Sequence, residues 1–120
     1  MSREEQPDQQ PIFDSLADRD CRRILATLDE PLPAKAVANA CELPQTTTYR
    51  KLQQLCEAGL VDDRTELRSD GHHTTTYVRD CAGIFVTIEG DEQFDVDLFA
   101  DRESPSERLA RLWTRIGEEL

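Results

Sequence analysis

Residues 33–58 read PAKAVANACELPQTTTYRKLQQLCEA and contain two runs of apolar residues at helical spacing. Proline is favoured in a first helical turn, so a short helix is predicted from near Pro33 to Cys41. A second helix is predicted from about Gln45 to Ala58, where Gly59 ends it. Two helices joined by so short a turn form a helix-turn-helix. The residues predicted to be buried are Ala34, Val37, Ala38, Cys41, Thr48, Leu52 and Leu55.

The segments on either side extend this motif into a winged helix. Upstream, Asp18 is a plausible N-cap for a helix that carries Cys21, Ile24, Leu25 and Leu28 at helical spacing. Downstream, 60–68 and 74–81 are β-compatible runs rich in Thr, Tyr and Val. The Asp-Gly pair between them indicates a hairpin. A hairpin that directly follows a helix-turn-helix is the wing of a winged helix.

The C-terminal third predicts a second hairpin and a final helix. Apolar residues alternate in two short runs on either side of a turn over 90–93. A capping box with Pro at its first helical position, 104–107, then opens an amphipathic helix. The predicted α+β organisation is a disordered acidic and polar tail (1–11), a winged helix-turn-helix (12–81), a second hairpin (82–100) and a C-terminal helix (104–120). The alternating residues are Ile84, Val86, Ile88, Phe94, Val96 and Leu98.

Negative charge is unevenly distributed along the chain. Of its 120 residues, 25 are Asp or Glu, and the formal net charge is −11. Between residues 31 and 54 there is one carboxylate, Glu42, and between 71 and 79 there is none. A segment that approaches a polyanion would exclude carboxylates. The two segments are therefore the candidate DNA-contacting surfaces, with double-stranded DNA as the partner.

The outward face of the helix over 45–58 carries hydroxyl, amide and guanidinium groups, which read base edges in a major groove. Arg50 suits guanine, and Gln45 or Gln53 suits adenine. Lys51 and Tyr49 are better placed for phosphates, which position a protein without specifying sequence. A merely solvated helix face would carry Asp and Glu, as the rest of the chain does. The candidate DNA-binding residues of this helix are Gln45, Thr46, Thr47, Tyr49, Arg50, Lys51 and Gln53.

The wing offers cationic groups for the same polyanion. Arg64, Arg68 and Arg79 lie on its strands and His72 and His73 at its tip, where the negative potential of a minor groove favours cations. The two histidines are alternatively a plain turn pair. Adjacent strand side chains point to opposite faces and seldom share one ion, so no metal site is expected, and no cofactor.

The four cysteines lack the Cys-x-x-Cys spacing of zinc or thioredoxin-type motifs. Most lie on apolar helical stripes, which favours burial over a redox role. No nucleophile with its base, phosphate-binding glycine loop or metal-hydrolase spacing is present, so no enzymatic activity is expected. No stretch approaches the roughly 20 apolar residues of a membrane helix. The sequence therefore predicts a cytoplasmic, chromosome-associated protein without a membrane partner.

The acidic residues are spread along the whole chain, and 12 of the 14 basic residues are Arg. This pattern favours adaptation to molar salt over an ordinary acidic cytosolic protein, and it implies a high concentration of KCl or other cations at a DNA interface.

The chain resembles the ArsR-like winged helix-turn-helix regulators of halophilic archaea in three stretches: IFDSLADRDCRRILATL, LPAKAVANACELPQTTTYRKLQQLCEAGLV and DGHHTTTYVRD. The resemblance covers roughly 12–81.

That resemblance implies a homodimeric, sequence-specific DNA-binding transcription regulator with the third helix in the major groove. The metal-sensing members carry a Cys-x-Cys pair on that helix, whereas this chain has only Cys56 there, so metal sensing is not carried over. Two alternatives stay open: a winged helix that binds another protein, and a redox- or ligand-gated switch on the same fold. The predicted dimer contacts lie on the C-terminal stripe, which otherwise would pack on its own chain: Leu109, Leu112, Trp113 and Ile116.

Large aromatic side chains dominate interface energies, so Trp113 is the expected anchor of this stripe. The Trp113→Ala variant should be monomeric by light scattering and should bind its DNA site more weakly. A variant that remains dimeric would show that this stripe is not the dimer contact.

Overall fold

The computed structural model describes residues 9–99, 110 and 113 of the chain. It divides into two compact units after Asp80. The first unit is a winged helix-turn-helix of mixed α and β structure, and the second contains a hairpin. The elements, in chain order, are α1 (Gln10–Ala17), α2 (Arg19–Thr27), β1 (Leu32–Pro33), α3 (Ala34–Cys41), α4 (Gln45–Glu57), β2 (Val61–Leu67), β3 (His73–Arg79), β4 (Gly83–Gly90) and β5 (Gln93–Phe99).

The core of the first unit is formed by the apolar stripes of α2, α3 and α4. All seven positions predicted to be buried along α3 and α4 are buried, which confirms the helical periodicity. Thr48 is the one hydroxyl among them, and it donates a hydrogen bond to the carbonyl of Pro44 over 3.0 Å. Burial of that hydroxyl therefore leaves no unsatisfied donor. The fully buried aliphatic side chains are Ile24, Leu28, Val37, Leu52, Leu55 and Leu60.

Local backbone chemistry sets where the helices begin and end. The Asp18 carboxylate accepts a hydrogen bond of 3.0 Å from the backbone N–H of Cys21, which confirms Asp18 as the N-cap of α2. Glu42 ends α3 in the left-handed region, with φ at 56°. Gly59 follows α4 with φ at 78°, a conformation that glycine adopts without strain. The turn of the helix-turn-helix therefore lies where the sequence predicts it.

A three-stranded antiparallel sheet in the order β1-β3-β2 completes the first unit. Its wing hairpin is confirmed, and the turn contains Gly71 with φ at 87°. The Asp70 side chain accepts a hydrogen bond of 3.0 Å from the N–H of His72. Strand β1 was not predicted from the sequence. Its two residues pair with Tyr77 and Thr76 of β3, and two residues are too few to show any periodicity.

Helix α1 was not predicted from the sequence. It begins at Gln10, which lies inside the predicted tail over 1–11. A proline in its first turn supports this start. The buried Ser15 hydroxyl donates to the carbonyl of Pro11 over 2.8 Å, so the helix satisfies its own buried polar group.

The second unit contains the antiparallel hairpin of β4 and β5, which confirms the alternation seen in the sequence. Asp91 and Glu92 form its turn, and both have positive φ, at 49° and 63°. The predicted helix over 104–120 lies outside the described residues, apart from Ala110 and Trp113, which are helical. No helix in the part of the chain that the structure describes is long and apolar enough to cross a membrane.

Candidate nucleic-acid interface

Helix α4 presents a polar face to solvent. Thr48, Leu52 and Leu55 are buried on its inner side. Five predicted contact residues are exposed on the outer side, and these carry amides, hydroxyls and one guanidinium: Gln45, Thr46, Tyr49, Arg50 and Gln53. Thr47 is half-buried at the edge of this face. We call the five exposed residues the α4 face. It contains both hydrogen-bond donors and acceptors and no carboxylate.

Arg50 is the cation of the α4 face. None of the ion pairs found among residues 9–99 involves it, so its five N–H donors remain available to a ligand. Tyr49 lies next to it with 54% of its surface exposed. The face ends at Glu57, whose carboxylate is 3.4 Å from the amide nitrogen of Gln53. Glu57 was not predicted to lie at this face, although its helical spacing from Gln53 places both residues on one side.

Lys51 has a partner within the protein. Its ammonium forms an ion pair with the Asp18 carboxylate, and both side chains are largely buried. The hydrogen bond from Lys51, followed by that from the Cys21 N–H, lowers the pKa of Asp18 below its usual 3.8. The pair joins α4 to the start of α2. Sequence reasoning missed it, because 33 residues separate the partners and no local pattern connects them.

The wing is more acidic than its arginines suggested. The segment 61–73 contains four carboxylates and two guanidiniums, so its net charge is −2 when the histidines are neutral. Arg64 lies 3.4 Å from the Asp62 carboxylate. His72 lies 3.3 Å from that of Asp70. Arg68 and His73 are exposed close to the tip. The wing therefore offers few cations that have no acidic neighbour.

Arg79 is directed at α2. Its guanidinium donates to the carbonyl of Leu25 over 3.2 Å, and its backbone N–H donates to that of Leu28 over 2.9 Å. A cation at a helix C-terminus is favoured by the helix dipole and by the unpaired carbonyls there. Arg79 thus connects the end of β3 to the end of α2. One N–H of the guanidinium is thereby used within the fold, and the predicted contact of Arg79 with DNA stays a prediction.

The cysteines have the environment of structural thiols. Cys21, Cys41 and Cys81 are buried, and Cys56 is half-buried. Burial raises the pKa of the Cys21 thiol to about 11. Burial, with smaller contributions from Asp63 and Asp62, also raises the pKa of Cys56. Because the thiolate is the reactive form, these shifts oppose a redox role. Among the described residues, no group of three or more His, Cys, Asp or Glu side chains could hold a metal ion.

Comparison with known proteins agrees with this architecture. Residues 16–64 match the model of a helix-turn-helix domain family. The crystal structure of NolR from Sinorhizobium fredii has a TM-score of 0.51 and 24% identity, over 61% of this chain and 69% of NolR. No curated protein sequence is significantly similar to the chain.

A second solved structure is similar over nearly the whole chain. It is a homodimeric winged helix-turn-helix DNA-binding domain from Mycobacterium bovis, described as a possible ArsR-family transcriptional regulator. Its TM-score is 0.52 and its identity 22%, over 98% of this chain and 87% of that one. Identities this low establish a shared fold and nothing more specific.

The Asp18–Lys51 pair makes a prediction about stability. Asp18→Asn keeps an N-cap of equal quality but removes the ion pair, and it should lower the free energy of unfolding by about 1 kcal/mol at neutral pH. The folded-state pKa of Asp18 is depressed, so this contribution is present above pH 3.8 and is lost as the pH falls through the folded-state pKa. Urea unfolding of both proteins should therefore show their difference shrinking below about pH 4.

Asp18→Ala serves as the comparison, because it removes the N-cap as well and should be less stable than Asp18→Asn at every pH. A difference between wild type and Asp18→Asn that did not change on acidification would contradict the assigned ion pair.

Proposed function

We propose that this protein is a sequence-specific, double-stranded-DNA-binding transcription regulator that acts as a homodimer at high salt. The observation that carries the proposal is the α4 face, an exposed surface without carboxylates in a chain of net charge −11. It lies on the second helix of a helix-turn-helix, the element that enters the major groove in this class of fold.

Each side chain of the α4 face can make a different contact with DNA. Arg50 can bond to guanine O6 and N7 at once, which is the most frequent specific contact in major grooves. Gln45 and Gln53 can each present an amide to adenine. Thr46 can contact a thymine methyl, and Tyr49 can donate to a phosphate. Lys51 has a positioning role in this proposal, since its ion pair with Asp18 sets how α4 lies on α2.

The contribution of the wing is smaller. Arg68 and His73 are the cations best placed to reach phosphates, because Arg64 and His72 have carboxylates nearby. Arg79 supports the fold from its position at the end of α2. Base readout by α4, more than attraction of the wing to the backbone, therefore provides the affinity in this proposal.

Arg50→Ala should weaken binding to a duplex selected by the wild-type protein from a random library. Loss of a bidentate guanine contact costs about 1–3 kcal/mol, which is roughly a 5- to 150-fold rise in Kd. Fluorescence anisotropy at the salt concentration used for the selection measures it. The variant should also discriminate less at one base position.

Arg23→Ala is the matched control, because it removes another exposed arginine, on α2, and should leave the Kd nearly unchanged. If Arg50→Ala and Gln53→Ala both bind DNA like the wild type, α4 does not read DNA, and a protein-binding role of the winged helix takes its place. Mapping of bound chromosomal sites for wild type and Arg50→Ala would apply the same comparison in the cell.

We propose a homodimer because one recognition helix contacts too few base pairs to specify a DNA site. A single helix-turn-helix contacts a few base pairs, and two copies would contact half-sites about one helical turn apart. Two chains carry a charge of twice −11, or −22. DNA would repel such a dimer in dilute buffer unless cations lie between them.

The proposal therefore predicts an unusual salt dependence. The affinity for the selected duplex should stay level or rise as KCl approaches molar concentration, whereas ordinary DNA-binding proteins release counterions and bind more weakly. Anisotropy titrations over a series of KCl concentrations measure this. A steep linear fall of log K with log salt would refute the salt adaptation without refuting DNA binding itself.

A further inference from the structure

The outer side of helix α2 carries arginines and no carboxylate. Its inner side contains Cys21 and Ile24, and both are fully buried. The exposed residues of the helix lie together on the opposite side, as expected at about 3.6 residues per turn: Arg19, Arg22, Arg23 and Ala26. We call the three arginines the α2 stripe. The one carboxylate of α2, Asp20, is half-buried beside the stripe.

The arginines of the α2 stripe are not neutralised within the fold. None of the ion pairs found among residues 9–99 involves them. Arg22 donates one N–H to the carbonyl of Leu16 over 2.7 Å, which holds its guanidinium at the junction of α1 and α2. A guanidinium has five N–H donors, so most of the donors of the stripe remain available to a ligand. In a chain of net charge −11, this is an exposed cationic surface.

The position of these cations does not serve the stability of α2. Helix N-termini favour negative charge, and C-termini favour positive charge. Arg19 is the first residue of α2, whereas the last turn of the helix contains no basic residue. The helix dipole therefore opposes Arg19. Residues that break a local rule of this kind are expected at functional sites, so the placement indicates a role in binding.

We propose that the α2 stripe binds an acidic segment of another protein. This contact goes beyond the proposed DNA contact and does not depend on it. Arginine clusters recognise acidic motifs, because a guanidinium donates two parallel hydrogen bonds to one carboxylate. Arg19 and Arg23 are four residues apart, about 6 Å along the helix axis. They therefore match carboxylates that are four residues apart on a partner helix.

The direction of the stripe favours an acidic protein over DNA as the occupant. Helices α2 and α4 pack on each other, and each buries its inner side. Their outer sides therefore point in different directions. A duplex bound to the α4 face would leave the α2 stripe accessible to a second partner. The charge of that partner must be negative, because the stripe contains three cations and no carboxylate.

The contact should be weak and reversible. Exposed ion pairs each contribute little, so we expect a dissociation constant on the order of 100 micromolar for an acidic segment. Screening should weaken the contact further as the KCl concentration rises. The expected salt dependence is thus opposite to that of the proposed DNA contact, which separates the two activities experimentally.

Fluorescence anisotropy of a labelled peptide of Glu and Ala, with Glu at every fourth position, tests the proposal on the full chain. The wild type should bind this peptide and should not bind the same peptide with Gln in place of Glu. Arg19→Gln combined with Arg23→Gln should raise the Kd about tenfold, because two exposed ion pairs are lost. Arg19→Lys combined with Arg23→Lys should also bind more weakly, since Lys cannot form the paired hydrogen bonds.

Arg64→Gln combined with Arg68→Gln is the matched control. It removes the same charge from the wing and should leave the Kd for the peptide within about twofold of the wild-type value. Circular dichroism establishes that each variant is folded. A wild type that binds the Glu and Gln peptides equally would overturn the proposal, and so would an Arg19→Gln, Arg23→Gln variant that binds the Glu peptide like the wild type.

The duplex selected by the wild-type protein separates carboxylate binding from phosphate binding. If Arg19→Gln combined with Arg23→Gln weakens duplex binding as much as peptide binding, the α2 stripe is a DNA contact and the proposal is wrong. If the wild type selects no duplex at all, the DNA-binding proposal fails, and the peptide titrations still decide the role of the stripe.

Nitrogen–proton correlation spectra of the labelled chain locate the bound peptide. Shift changes centred on the amides of α2 would support the proposal. Shift changes centred on the α4 face would show that the acidic peptide occupies the candidate DNA surface instead, and the assignment of the α2 stripe would then be wrong.

Discussion

The two contacts of the Asp18 carboxylate are the interactions on which the position of the candidate reading helix depends. One oxygen caps α2 through the Cys21 N–H, and the other pairs with Lys51 of α4. A single side chain therefore sets the start of one helix and the position of another relative to it. Since Lys51 precedes the buried Leu52, the pair turns the inner side of α4 towards α2 and leaves Arg50 on the outside. Capping and ion pairing together hold the candidate reading surface in place.

A different contact holds the other end of α2. The Arg79 guanidinium donates to the carbonyl of Leu25 in the last turn of that helix, where the dipole favours a cation. Two of the cations in the acid-poor segments thus stabilise the fold. This use of charge leaves Arg50 as the principal cation of the α4 face, beside amides and hydroxyls. A surface so poor in positive charge would attract a polyanion only weakly at long range, so the proposed DNA contact must depend on short-range hydrogen bonds.

The sequence predicted most of the fold because its signals are local. Alternating and helical periodicities located α2, α3, α4 and both hairpins, and Asp18, Gly59 and Gly71 marked their ends. It missed β1, which exists only through its pairing with β3. Five of the seven α4 residues that it proposed as contacts are exposed, but it treated Lys51 and Arg79 as free cations. Their partners, Asp18 and the Leu25 carbonyl, lie 33 and 54 residues away, and a single sequence contains no signal of such contacts.

In the second hairpin, too, local sequence signals predicted one property and tertiary structure decided another. Alternation alone determined that Ile84, Val86 and Ile88 share one face, because successive strand residues point to opposite sides. It did not determine which face would be exposed, and the usual expectation would bury the apolar one. The sequence by itself thus determined most of the elements, several of their ends and the exclusion of acid from the α4 face. Tertiary structure alone decided which charged groups find partners within the fold and which face of the hairpin is the more exposed, because both depend on residues that only folding brings together.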